Sequence, residues 1–299
     1  MAHEIIAATN AIVTLDVALP GIVWGWIITM NMWAKSIGTG IIFLTFFLLK
    51  KYPNETGFIR FPAVAVSIVF IHLFLFFTVI DLHQMFRFWH IFFHPHMTSA
   101  ITIGAWMATG FVGLLLGMAY AIYMKKDEAL YDKLLGYTVL LAVPVTLYTA
   151  GLMAQSTARE LWQMPTESAQ MILAALLAGT ATMILLGGNK FNDAIKKDLG
   201  VILGLSAAAA FILYMAEFIF GGMKAEEVGA TLEFIKGGEY TIMFWIGQLL
   251  AFITPMVLVC LSLKKQSYYL LKIAAVSALI GLWISKHVWL VIPQLLNMS

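Results

Sequence analysis

The chain has 299 residues, of which 61% are apolar or aromatic and 11% are charged, and its formal net charge is +2. A soluble domain carries about 25% charged residues, so an ordinary soluble domain is excluded, and so small a net charge gives no reason to expect nucleic acid as a partner. The one cysteine, Cys260, excludes an internal disulfide, a cysteine-ligated iron–sulfur cluster and a C-x-x-C-H haem attachment within this chain.

The N-terminal segment carries Glu4 and Asp16 and no Lys or Arg before Lys35. A cleaved signal peptide needs a positive n-region, so the first apolar stretch is expected to be kept as a span. A bilayer core about 30 Å thick takes roughly 20 residues of helix. Runs of that length fall at about 22–49, 61–81, 101–124, 134–154, 167–188, 198–221, 239–263 and 268–290. Polar breaks such as Lys50–Glu55, Lys125–Glu128 and Gly187–Lys190 separate them. Strands of a membrane barrel are about ten residues long and alternate in polarity, whereas these runs are long and continuous. The expected fold is all-α: residues 1–299 form one integral membrane bundle of eight transmembrane helices.

Twelve basic residues fall to one side of this arrangement, Lys50, Lys51, Arg60, Lys125, Lys126, Lys133, Lys190, Lys196, Lys197, Lys264, Lys265 and Lys272. Four fall to the other, Arg87, Arg159, Lys224 and Lys236. The positive-inside rule makes the first side cytoplasmic, with both termini and the longer connections on the outer, periplasmic side. Within the second connection His83, Arg87, His90 and His94 recur at helical spacing among aromatic residues, which predicts an interfacial amphipathic helix. Its basic stripe suits an acidic partner, lipid phosphate or plain solvent.

Ionisable residues inside spans are costly and point to function. Lys35, His72, Asp81, Glu217, Lys286 and His287 lie in or at the ends of spans, with Asn31, Tyr148 and Gln248 as uncharged hydrogen-bonding groups. Asn31, Tyr148 and Glu217 fall in the outer half, and Lys35 and His72 nearer the middle. A polar pocket with titratable groups leading inward suits a quinone, whose carbonyl oxygens need donors and whose redox change moves two protons. Helix–helix packing is the competing explanation for each polar residue singly. Gly113-x-x-x-Gly117 and the Ser36/Gly40 pair read as small-residue contacts, and Pro144 as a kink that turns Tyr148 inward.

Two motifs go beyond composition. The stretch Asp81-Leu82-His83-Gln84-Met85-Phe86-Arg87-Phe88-Trp89-His90, continuing through His94-Pro95-His96-Met97-Thr98-Ser99 to Gly104-Ala105-Trp106, resembles the signature after the second span of the polysulfide-reductase membrane-subunit family, also called NrfD-like. Tyr148-Thr149-Ala150-Gly151-Leu152 followed by Ala158-Arg159-Glu160-Leu161-Trp162 and Pro165 resembles that family's second motif. The opening Trp24-Gly25-Trp26 with Gly38-Thr39-Gly40 is similar to its first helix.

The resemblance implies a quinone-reactive anchor subunit of a respiratory oxidoreductase in the cytoplasmic (inner) membrane of a bacterium or archaeon. Such subunits carry no haem or iron–sulfur cluster. They exchange electrons between menaquinone or another quinone and an outer ferredoxin-like iron–sulfur subunit, usually joined to a molybdopterin catalytic subunit, with proton translocation as an accompanying possibility. Tyr148 matches the family's quinone-site tyrosine. Asn31 stands where the family often has His or Tyr, and Asn cannot carry a proton, so Lys35 and His72 are the expected proton path. Arg87, His90, Arg159 and Trp162 are expected to dock the partner, and Asn31, Tyr148 and Glu217 to bind the quinone. Two other readings remain open from the residues: a secondary transporter or proton channel using Lys35, His72 and Glu217, and a haem b anchor.

Overall fold

The computed structural model describes residues 21–82 and 84–296. Glu4 and Asp16, and also His83, lie outside the described residues. Among those described there are helices and no strands. In chain order the helices are α1 (Trp26–Lys51), α2 (Arg60–Asp81), the single turn α3 (His90–Phe93), α4 (Ala100–Tyr120), α5 (Glu128–Gln155), α6 (Met164–Gly187), α7 (Asp193–Phe220), α8 (Glu226–Lys236), α9 (Thr241–Gln248), α10 (Thr254–Lys265) and α11 (Tyr268–Val291).

Eight helical stretches among the described residues are long and apolar enough to cross a membrane: α1, α2, α4, α5, α6, α7, the continuous α9–α10 and α11. The expected eight-helix, all-α bundle is therefore the observed one. Local chemistry sets several boundaries. Asp127 accepts from the Leu130 amide and Asn192 from the Ile195 amide, so each caps the start of a span. Pro165 sits in the first turn of α6, where a missing N–H costs nothing. The span of α9–α10 contains a π-turn at Leu249–Ile253, and the Ser277 hydroxyl of α11 donates to the Leu250 carbonyl there.

The spans are not equivalent. α1, α6 and α11 form the interior, with about four-fifths to three-fifths of each apolar window buried, whereas α2 and α4 bury about a third or less. The interior helices approach through glycine. A Cβ on Gly40 would sit 2.8 Å from the Ala175 carbonyl carbon and 2.9 Å from the Gly179 amide nitrogen, so α1 and α6 touch backbone to backbone. Gly281 of α11 closes in the same way on Leu250 and Ala251. Gly113, expected as a contact, has nothing within 4 Å and is exposed; its small size serves no packing in this chain.

One end of the bundle is basic, and there Arg60 bridges α2 to α5 through Glu128 at 2.9 Å and Asp132 at 3.1 Å. The opposite end carries the long connections 82–99, 156–163 and 221–240. The expected continuous amphipathic helix does not form in the first of these. A 3-10 turn at Met85–Arg87 and the one turn of α3 replace it. The chain leaves helical geometry at His94 (φ −127°), because the residue before a proline, here Pro95, is pushed out of the α region.

Candidate functional site

Two polar clusters lie on either side of α1, both toward the end with the long connections. The first joins α1, α2 and α5. Asn31 is 3% exposed, and its amide group donates to the Phe74 carbonyl at 3.0 Å and to the Thr78 hydroxyl at 2.6 Å. One turn on, Lys35 is 1% exposed. Its ammonium donates to the Thr149 hydroxyl and lies 4.9 Å from the Tyr148 ring centroid and 5.9 Å from that of Phe74. Cations favour such ring faces. The Tyr148 ring packs edge-on to Phe74, and Gly104 of α4 leaves the space that ring fills.

The second cluster joins α1, α6, α7 and α11. Glu167 and Met171, one turn apart on α6, face Lys286 and Trp289 of α11 and Tyr214 of α7. Trp289 donates its indole N–H to Glu167 at 3.1 Å. Among the described residues, the Lys286 ammonium bonds only the Met171 sulfur, at 3.4 Å. Tyr214 packs edge-on to Trp289. The Gln170 amide nitrogen is buried without an acceptor among the described residues.

The structure brings Asn31, Lys35 and Tyr148 together but separates Glu217 and His72 from them. Glu217 belongs to the second side, where its carboxylate meets Lys224 and, at 3.4 Å, the Thr166 hydroxyl. His72 is exposed on the outer surface of α2 and bonds the Ile68 carbonyl of its own helix at 2.7 Å. It lies one residue off the buried stripe Ser67, Ile71, Phe74, so an interior path from Lys35 does not run through it. His287, the other histidine within a span, stacks on Trp283 and bonds Thr29 at 2.9 Å.

The docking residues divide as well. Arg87 and His90 are exposed, near Phe86 and Phe93 at 88% and 74% exposure. Arg159 and Trp162 turn inward instead. Arg159 is 9% exposed and donates to the Pro293 and Leu296 carbonyls at 2.5 and 2.9 Å. Trp162 stacks on Trp24 at 5.4 Å. Together with Gln294, which bonds the Val23 and Trp24 backbone, they tie the start of α1 to the end of α11. Beside them lies an open cleft of about 480 Å³ lined by residues of 154–165.

Residues 17–297 match the family described as "Polysulphide reductase, NrfD". The chain belongs to the NrfD family. As an NrfD-family chain with eight apolar spans, it is a multi-pass membrane protein. It is similar to a selenate reductase subunit of Mesobacillus selenatarsenatis, 28% identical over 179 residues, 57% of this chain and 41% of that protein. The match thus spans less than half the length of that relative.

Sequence reasoning passed over Glu167, Gln170 and Tyr214 of this NrfD chain. Glu167 stands in the first turn of α6, where an acidic residue is ordinary because it meets the positive end of the helix dipole. Its signal was only its spacing to Gln170 and Met171, three and four residues on, which puts all three on one helix face.

Proposed function

We propose that this chain is the quinone-reactive membrane anchor subunit of a respiratory reductase. It exchanges electrons between menaquinone, or another quinone, and an iron–sulfur subunit seated on the end with the long connections. Membership of the NrfD family supports the anchor role, as does similarity to a protein named as a subunit of a selenate reductase. In this reading a molybdopterin protein completes the complex and determines the terminal substrate. The exposed Arg87 and His90, with Phe86 and Phe93 around them, receive the iron–sulfur partner. The membrane is the cytoplasmic one, with the basic end inside by the positive-inside rule.

The observation that carries the reading is the state of Lys35. A buried ammonium has three protons to place, and among the described residues this one has a single oxygen partner, Thr149, with the Tyr148 and Phe74 rings beside it. That is an unfilled donor between two aromatic rings in an apolar span, which fits a carbonyl oxygen on a flat ring. Lys35 and the Tyr148 hydroxyl would hold the quinone oxygen, and the edge-packed Phe74 and Tyr148 would together form one wall beside its ring. Asn31, whose amide protons already serve α2, would position that wall. A bound quinone supplies the two-electron, two-proton chemistry. The chain's own part is to orient the ring, to exclude water and to hold a proton on Lys35 Nζ.

Native mass spectrometry of the complex in mild detergent tests this. A bound quinone and an iron–sulfur partner are the expected result, and a lone chain without quinone, under extraction shown to keep subunits together, refutes it. In the intact complex, Tyr148→Phe is expected to lower quinol oxidation by about a hundredfold or more, the lower end of what a proton-handling group contributes. Full activity removes Tyr148 from the site.

A further inference from the structure

The quinone reading uses the end with the long connections and gives the basic end no task. Cations at that end meet carboxylates of another helix at two places: Arg60 meets Glu128 and Asp132, and Lys51 meets Asp198. The corner where α7, α10 and α11 come together is different. No Asp or Glu follows Glu239 in the sequence, yet Lys264, Lys265 and Lys272 lie in that stretch. A Cβ on Gly200 of α7 would lie 3.6 Å from the Leu271 side chain and 3.7 Å from that of Leu263. Lys264 and Lys272, the next residues along from these two leucines, therefore stand at the corner, and Lys196 stands there too, one turn before Gly200.

Two of these lysines, from different helices, converge on one ring. The Nζ of Lys196 lies 5.4 Å from the Tyr268 ring centroid, and that of Lys272 lies 5.0 Å from it. The Tyr268 hydroxyl donates to the Ile184 carbonyl, which fixes the ring against the end of α6. Both lysines are half-buried. A lysine that only snorkels extends its ammonium to water. These two fold back over an aromatic ring, which attracts a cation but does not neutralise it. Lys272 has no carboxylate partner among the described residues. Lys196 meets Asp193 of its own helix at 3.0 Å, but that carboxylate is 99% exposed, and an exposed pair is worth little. The corner thus lacks an anion. Inward from it along α11, Val276 and Ile280 stand four and eight residues beyond Lys272 on the same helix face, and both are exposed. Paired cations at the membrane face with an apolar stripe running inward match the two parts of a phospholipid, its phosphate and its acyl chains.

We infer that Lys196 and Lys272, gathered on the Tyr268 ring, bind the phosphate of an anionic phospholipid at the basic end. The two ammoniums donate to the phosphate oxygens, and Lys264 and Lys265 at the same corner add to the positive field. The acyl chains lie along Val276 and Ile280. A zwitterionic phospholipid offers the same phosphate, but its own cation meets the lysines with like charge, so the site selects a headgroup of net negative charge. Basic pockets between spans on the cytoplasmic side bind anionic headgroups in this way, and that leaflet carries the negative surface potential. The site is separate from the quinone pocket and stands without it.

Native mass spectrometry of the full-length protein, released from nanodiscs holding equal amounts of phosphatidylglycerol and phosphatidylcholine, tests the site. The parent is expected to retain phosphatidylglycerol in preference. A lysine beside an anionic surface is worth about fivefold in affinity. Lys196→Met combined with Lys272→Met keeps the bulk of both stems and removes both charges, so retention of phosphatidylglycerol should fall about twenty-five-fold. The corresponding double arginine variant should keep it, as should Lys125→Met with Lys126→Met, away from the corner. If the double methionine variant fails to fold, Lys272→Met alone carries the test, with a fall of about fivefold. A parent without preference, or methionine variants that retain the lipid as the parent does, overturn the proposal. Inorganic phosphate in matching amount should not displace the lipid; displacement by phosphate makes this a site for a free anion and overturns the lipid assignment.

Discussion

Replacing Gly40 by alanine is the sharpest test of how the interior of this bundle is built. In an open helix the change stabilises by about 0.8–1.0 kcal/mol, because alanine is the better helix former. At Gly40 the added carbon falls 2.8 Å from the Ala175 carbonyl carbon and 2.9 Å from the Gly179 nitrogen, with the Ala175 oxygen nearer still. Ordinary carbon contacts are about 3.5–4.0 Å. Every atom met is backbone, so no side chain can rotate away and α1 and α6 must part by about an ångström. Overpacking of this kind costs about 1–3 kcal/mol, and separating two central helices places the cost at the upper end. Net destabilisation of about 1–2 kcal/mol is expected after the propensity gain. Gly113→Ala is the internal control, since nothing lies within 4 Å of it. Thermal unfolding of both variants in detergent, followed by a fluorescent tryptophan or thiol probe, should put Gly40→Ala below the parent and Gly113→Ala at or above it. Equal melting temperatures for the two would refute the backbone-contact account of the α1–α6 seam.

Two further outcomes follow from the ends of the bundle. Arg159→Ala removes a charged donor from the Pro293 and Leu296 carbonyls. A hydrogen bond to a charged group is worth about 1.5–3 kcal/mol, so residues 292–296 should exchange amide hydrogens faster, while exchange in α4 stays unchanged. At the basic end, the hydrogen bond to Asp198, then burial and the Asp198 charge, raise Tyr52 above its ordinary value, with Lys51 opposing. A folded pKa above the unfolded one means that the folded state holds the proton longer. The stabilisation is complete below about pH 10, the unfolded tyrosine value, and is lost as pH rises beyond it. Tyr52→Phe should flatten the fall in melting temperature above that pH, and an unchanged slope would discount the Tyr52–Asp198 bond.

The eight spans were legible in the sequence because hydrophobic length is a local property, and a bilayer demands about 20 apolar residues with every backbone group bonded within the helix. The family was legible for a related reason: its motifs are runs of neighbouring residues, such as Asp81–His90 and Tyr148–Leu152, which stand together whatever the fold does. The grouping of Asn31, Lys35 and Tyr148 was half legible, through depth along each helix. Depth says nothing about rotation around the axis. His72 has the right depth but sits beside the buried stripe of α2 rather than on it, so its ring faces outward. Arg159 and Trp162 occupy a connection, which suggests exposure, yet unpaired carbonyls at the end of α11 draw the guanidinium inward and Trp24 takes the indole. Glu167 and Lys286, 119 positions apart in the chain, line one space only because α6 and α11 pack side by side. The sequence by itself determined which segments enter the membrane and which family they belong to. Only the tertiary structure decided which faces of those segments meet, because helix rotation and partner choice are set by the packing of all eight spans at once.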